Sequence, residues 1–275
     1  MSKWRPAPSC IYVMGDIHGN YKALIKVLNR ILPLRDEDEI VFLGDYIDRG
    51  PDSAKVVDAL VRLSAKYPEQ VTCLMGNHEW LMLAALGVTH PNTPTEMSPA
   101  EVWLRNGGQK TIVSYATMAK TDLKSALSIP LHRVRSLIPP AHLKFLVNTY
   151  QFYELGTDIF VHAAIDPAQP LDNQHPDVLL WDRSLYKLAL KHINAGLDMP
   201  WDNRIICGHS YNGPVIHPKY MMLDSSGQDK LLCAELNSME GFYAVAGQSR
   251  MVKADLSNTT KPPGAIFKGK FRRIS

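Results

Sequence analysis

The chain has 275 residues, of which 45% are hydrophobic and 21% charged, with a formal net charge of +3. That length can bury a large core, and the composition is that of an ordinary soluble globular chain. The charge is too small to imply a nucleic-acid partner.

The N-terminal stretch, Met1 to Met14, lacks the apolar segment of a signal peptide. No stretch approaches the ~20 apolar residues of a membrane span, so no membrane association is expected. Cys10 to Met14 is a short apolar run that ends at Gly15-Asp16, and a helical pattern follows over Ala23, Leu24, Val27, Leu28, Ile31 and Leu32. Glu39 to Leu43 is a second such run, ending at Gly44-Asp45, before a helical pattern over Ala54, Val57, Leu60, Val61 and Leu63. Val71 to Met75 is a third, ending at Gly76-Asn77, and Trp80 to Leu86 reads as helix. Strand, polar turn and helix, three times over, predict a βαβαβ unit on a parallel sheet. In such sheets the ligand crevice lies beyond the carboxyl ends of the strands.

Residues 88–150 change character. Pro91, Pro94 and Pro99 break the chain, and helices are predicted from about Pro99 to Met118 and from Pro140 to Asn148. This reads as a helical insertion. The second half turns β-rich, at Phe152–Leu155, Ile159–Val161, Arg204–Cys207, Tyr220–Leu223, Leu231–Leu236 and Phe242–Val245. These predict a second, largely antiparallel sheet. Residues 165–200 read as loop. Lys261-Pro262-Pro263-Gly264 marks the start of a tail whose end, Lys268 to Arg273, carries four cations in six residues. The expectation is an α/β fold in one domain over residues 1–260, with a basic tail at 261–275.

None of the four cysteines (Cys10, Cys73, Cys207, Cys233) sits in a CxxC pair. They read as reduced thiols in a cytoplasmic protein.

The polar residues at the strand ends carry the chemistry. Gly15-Asp16-Ile17-His18-Gly19 brings an acid and an imidazole to one turn. Gly44-Asp45-Tyr46-Ile47-Asp48-Arg49-Gly50 adds two acids and a guanidinium, and Gly76-Asn77-His78-Glu79 an amide, an imidazole and an acid. His162 and His209 follow in apolar surroundings. A mixed oxygen and nitrogen set suits borderline divalent ions such as Mn²⁺, Fe²⁺ or Zn²⁺. A lone Asp after a strand is ordinarily a turn former and a lone His a satisfied core residue. Three such clusters at successive strand ends make a poor core, because buried polar groups need partners.

GDxHG, GDxxDRG and GNHE, in this order and about thirty residues apart, resemble the motifs of PPP-type serine/threonine protein phosphatases in the calcineurin-like metallophosphoesterase superfamily. The likeness is strongest to small bacterial and bacteriophage members. Trp103 to Gly108, with Thr111 and Ser114-Tyr115, adds to it. The resemblance implies two packed mixed β-sheets flanked by helices, with the helical insertion. It implies two divalent metal ions, Mn²⁺ foremost and Fe or Zn as alternatives. Asp16 and His18 would bind the first, Asp45 would bridge both, and Asn77, His162 and His209 would complete the second. His78 would be the general acid, held by Asp48. Arg49 would bind substrate phosphate together with a second arginine, Arg183, or in its place Arg204. One departure is Ala163-Ala164 where family members usually show glycine soon after the histidine.

The implied reaction is hydrolysis of phosphoserine or phosphothreonine esters of a phosphoprotein or phosphopeptide by direct attack of a metal-bridging hydroxide. Two alternatives stay open, a symmetrical dinucleoside tetraphosphate hydrolase and a broad-specificity phosphomonoesterase. The Asp48-Arg49 pair and Glu79 set the chain apart from the former.

Overall fold

The computed structural model describes residues 10–88, 98–122, 129–210, 213–225, 230–236, 240–245 and 252–255. Pro91, Pro94, Lys261 to Gly264 and the basic tail lie outside the described residues.

The first three strands, β1 (Ile11–Met14), β2 (Glu39–Phe42) and β3 (Val71–Cys73), pair in parallel and in sequence order. They are joined by α1 (Tyr21–Ile31) and α2 (Ser53–Lys66), and α3 (Asn77–Ala85) follows β3. Successive strand side chains point to opposite faces, and both faces are buried here. Tyr12, Met14, Ile40 and Phe42 pack with Leu24, Leu28, Val57 and Leu60 of the helices. Ile11, Val13, Val41 and Leu43 pack on the other side with Ile159, Val161, Ile205 and Cys207 of a second sheet. Burial on both faces accounts for the unbroken apolar runs in the sequence.

The insertion is helical within its described residues. It comprises α4 (Pro99–Trp103), a π-helical turn at Leu104–Gly108, α5 (Gln109–Met118), and helices at Leu131–Val134 and Pro140–Val147. Ser98 caps α4, with its hydroxyl accepting from the Glu101 N–H and the Glu101 carboxylate accepting from the Ser98 N–H.

The second half departs from expectation in three ways. The second sheet is mixed rather than largely antiparallel. Its strands are β4 (Phe152–Leu155), β5 (Asp158–Val161), β6 (Arg204–Cys207), β7 (Val215–His217) and β8 (Tyr220–Met222), in the order β4-β5-β6-β8-β7. The pairs β5–β6 and β6–β8 are parallel, because a long helical connection returns the chain between β5 and β6, and β7 returns it as an antiparallel edge strand between β6 and β8. The last strands, β9 (Lys230–Glu235), β10 (Glu240–Val245) and β11 (Val252–Asp255), join the first sheet instead, with β9 antiparallel to β1. Residues 165–200 are not all loop, since helices span Pro176–Trp181 and Ser184–Ala195. The latter buries Leu185, Tyr186 and Ala189 and stops at Gly196, which has a left-handed φ of 64°.

Candidate metal centre

The turns after β1 and β2 are laced together. The Ile17 and His18 N–H groups donate to the Asp45 carbonyl at 3.0 and 2.8 Å, and the Gly19 N–H donates to that of Tyr46 at 2.8 Å. Gly44 adopts φ 104°, and a Cβ there would lie 2.6 Å from the Gly76 nitrogen, so only glycine lets these two strand ends meet. The side chains that follow converge. His18, Asp45 and His78 form one group of closely spaced ligand atoms, and Asp45, His162 and His209 form a second.

Asp45 belongs to both. Its Oδ2 lies 3.5 Å from His18 Nε2 and 3.8 Å from His78 Nε2, while its Oδ1 lies 3.4 Å from His162 Nε2. Asp16 Oδ2 stands 3.9 Å from His18 Nε2, and its carboxylate accepts the His209 N–H at 3.1 and 3.3 Å. Asn77 Oδ1 lies 3.0 Å from His162 Nε2 and 3.1 Å from His209 Nδ1.

Hydrogen bonds behind the rings fix which nitrogen faces inward. A backbone carbonyl only accepts, so His162 Nδ1–H donates to Leu43 O at 2.9 Å and leaves a lone pair on Nε2. His18 Nδ1–H donates likewise to Ile47 O at 2.9 Å, and His209 Nε2–H to Trp181 O at 3.2 Å. The inward nitrogens of His162 and His209 are therefore acceptors facing an amide oxygen, which a shared cation reconciles. The charges agree. Burial pushes the Asp16 carboxyl well above its ordinary range, and the nearby Asp224 and Asp45 charges add to the shift. Burial also raises Asp45, but the surrounding imidazoles, His162 foremost, outweigh it and hold that carboxyl below its usual range. Burial lowers His162, and it lowers His209 well below the ordinary value with His162 adding to it. Burial, with His78 adding to it, takes His18 down to about 3. Neutral imidazoles, carboxylates and an amide oxygen form a donor set that fits borderline divalent ions.

His78 is arranged differently. Its Nδ1 meets the fully buried Asp48 Oδ2 at 2.7 Å. Burial alone lowers its pKa, but the Asp45 charge and the Asp48 hydrogen bond outweigh that and the net shift is upward. Asp48 is itself held from the insertion. Trp103 Nε1–H donates to both of its oxygens at 3.1 and 3.0 Å, and the Thr111 hydroxyl donates to Oδ1 at 2.6 Å. Arg49 reaches over the first cluster, with its guanidinium nitrogens 2.7 Å from His18 Nε2 and 3.0 Å from His78 Nε2.

Arg183 donates to the His209 carbonyl at 3.4 Å, which puts it on the rim beside the second cluster. Arg204 is paired with Asp158 at the start of β6, the end of the strand away from the site. Of the two arginines left open by the sequence, only Arg183 is at the site.

Three contributions had no role assigned from sequence. Glu79 accepts the N–H groups of Asp45, Tyr46, Ile47 and Gly76 at 2.8, 2.8, 3.2 and 3.0 Å and so clamps the turn that carries Asp45. Burial, with Asp45 adding to it, raises its pKa to about 8, against which the four amide donors favour the carboxylate. Asp224 is buried just after β8, and Leu223-Asp224 repeats the strand-then-acid signal of β1 and β2. Trp103 and Thr111 belong to a motif that gave no sign of their contact with Asp48. Among the described non-glycine residues with φ in the left-handed region, His18 (45°), Asp45 (53°), Asp48 (69°), Arg49 (62°) and His209 (63°) all belong to this site, and Lys120 is the other. Strain gathered at one place marks function rather than folding.

Two mixed sheets meeting at a cluster of His, Asp and Asn define a metallophosphoesterase. The chain belongs to the Calcineurin-like phosphoesterase family, whose model matches residues 11–212. The serine/threonine-protein phosphatase SIT4 of Candida albicans is 32% identical over 105 residues, which cover 37% of this chain. The chain spans only 33% of that relative's length. Two solved structures share the fold. A candidate diadenosine tetraphosphatase has a TM-score of 0.56 at 19% identity, covering 88% of this chain and 97% of its own. A protein serine/threonine phosphatase from Saccharomyces cerevisiae, similar to human phosphatase PP5, has a TM-score of 0.51 at 14% identity, covering 89% and 78%. Among the described residues no helix is long and apolar enough to cross a membrane.

Proposed function

We propose that this chain is a cytoplasmic two-metal phosphatase acting on phosphoserine and phosphothreonine in proteins. The observation that carries the reading is Asp45, whose two oxygens face two separate imidazole clusters while His78 stands beside it on a buried Asp48. Asp16, His18 and Asp45 would hold one divalent ion, and Asp45, Asn77, His162 and His209 the other, with Mn²⁺ foremost. When bound, the pair would supply a water activated near neutral pH and Lewis-acid neutralisation of phosphate charge.

The chain's own residues do the rest. Arg49 lies beside His18 and His78, and with a metal ion on His18 its planar guanidinium would turn to the non-bridging phosphate oxygens. Arg183 does so from the opposite rim. Asp48 occupies Nδ1 of His78, so once Arg49 leaves Nε2 for the phosphate, His78 would deliver its proton to the departing alkoxide from Nε2. The buried indole of Trp103 and the Thr111 hydroxyl stop Asp48 from turning away.

The test is turnover of the metal-loaded protein on phosphoserine peptides, p-nitrophenyl phosphate and diadenosine tetraphosphate in parallel. Preference for the peptides supports the reading. Preference for the dinucleotide moves the chain to the polyphosphate hydrolases, and no metal-dependent turnover of any of the three refutes the phosphatase reading altogether.

A further inference from the structure

The join between α4 and α5 is unusual. Leu104–Gly108 forms a π-helical turn in which Gly107 has φ 102°. Such turns recur at functional sites. A Cβ on Gly107 would lie 2.9 Å from the Arg49 nitrogen and 3.1 Å from its Cγ, so the turn rests directly on Arg49. The Gly107 carbonyl also accepts the Arg49 N–H at 3.4 Å.

Beside this contact lies a groove of about 460 Å³. Three cations line it, Arg49, Arg105 and Lys110, with the amides of Asn106 and Gln109. Leu104 and Gly107 complete the lining, and among the described residues it holds neither a carboxylate nor an aromatic ring. Arg105 and Lys110 are exposed. Glu101 stands one helical turn before Arg105 and feels its charge, but it is not among the lining residues, and its carboxylate accepts from the Ser98 N–H and hydroxyl at 3.0 and 2.9 Å. The groove is therefore a positive surface that continues outward from the arginine assigned to the scissile phosphate.

We propose that this groove is an anion subsite that reads acidic residues flanking the phosphorylated residue of a protein substrate. It rests on the phosphatase reading above and narrows its substrate class. Guanidinium and ammonium groups with amide donors suit carboxylates. Among the described lining residues no aromatic ring offers a nucleobase a face to stack on. Because Arg105 and Lys110 are exposed, each contributes modestly and is screened by salt.

The experiment compares two phosphoserine peptides of equal length, one with glutamates on both sides of the phosphoserine and one with glutamines. The metal-loaded protein should favour the glutamate peptide roughly fivefold in kcat/KM, mainly through KM, and the advantage should shrink at high salt. Arg105→Ala with Lys110→Ala should abolish the preference, and Arg105→Glu with Lys110→Glu should invert it. Fluorescence anisotropy of the same labelled peptides reads the groove without turnover. The subsite is overturned if the wild type shows no preference, or if the preference survives both double variants. It is also overturned if the variants slow diadenosine tetraphosphate while the peptide preference persists, which would assign the groove to a polyphosphate. Failure of the phosphatase reading looks different, because p-nitrophenyl phosphate would then also go unhydrolysed.

Discussion

Thr111→Val isolates the contribution of the insertion to the proton donor. The Thr111 hydroxyl donates to Asp48 Oδ1 at 2.6 Å, and both residues are buried. Valine keeps the shape and removes both this donor and the acceptor that the same hydroxyl offers the Asp48 N–H at 2.9 Å. A hydrogen bond to a buried charge contributes about 1.5–3 kcal/mol, so urea unfolding should show a loss of about 2 kcal/mol. Asp48 keeps Trp103 and His78, and its N–H keeps the Ser53 hydroxyl at 3.1 Å, so the fold survives. The kinetic effect should be selective. A looser Asp48 costs orientation of His78, and about 1.4 kcal/mol of that interaction corresponds to roughly tenfold in rate. That loss should appear on alkyl phosphates such as phosphoserine and be small on p-nitrophenyl phosphate, whose leaving group hardly needs a proton. Thr111→Ser, which restores the hydroxyl, should recover most of it. Equal losses on both substrates, or a serine variant as poor as the valine variant, would refute the positioning of His78 through Asp48.

His78→Asn should keep metal while losing about 10²–10⁴-fold on phosphoserine and far less on the aryl ester, checked by metal analysis beside the two rates. Asp45→Asn should lose metal affinity and activity together, by more than the roughly 10–100-fold typical of outer partners, because one carboxylate serves both clusters; isothermal titration checks it, and full activity would sink the bridging role. Burial lifts the Cys207 thiol to about 12, and burial with Glu235 lifts Cys10 to about 11. The thiolate is the form that reacts, and the shift keeps it scarce below those values, so alkylation of both at pH 8 should be slow in the native protein and fast in denaturant, as mass spectrometry of the modified peptides will record.

The first half of the fold was legible because its signals are local. Each of β1, β2 and β3 is an apolar run that stops at a glycine and a polar residue, and the chain builds the site from those stops. The second half was harder for a physical reason. That Cys233 and Ala234 pair with β1 as well as with β10 could not be read from their strand, because burial on both faces leaves no alternation to read. The helix Ser184–Ala195 was missed although Leu185, Ala189 and the closing Gly196 mark it. At the site, ligand-type residues announced themselves by spacing. Trp103 and Thr111 did not, because their partner lies 55 and 63 residues away and their side chains look like ordinary core.

The same contrast separates what the two parts of the chain do at the site. Strand ends deliver His18, Asp45, Asp48 and Arg49 in left-handed backbone, a conformation that costs roughly 1–3 kcal/mol per residue. Something beyond the backbone bonds these turns exchange must help to offset such a cost. Glu79 does, from α3, by taking three successive N–H groups of the Asp45 turn on one carboxylate. The insertion does so from the other side, with Thr111, next to Ser53 of α2, accepting the Asp48 N–H and Gly107 accepting that of Arg49. The insertion is thus part of the support of the site, and its helices hold the acid side while Glu79 holds the ligand side. A change that loosens α4 or α5 should therefore disturb His78 and Arg49 before it disturbs His162 or His209, which hang from β5 and the turn after β6.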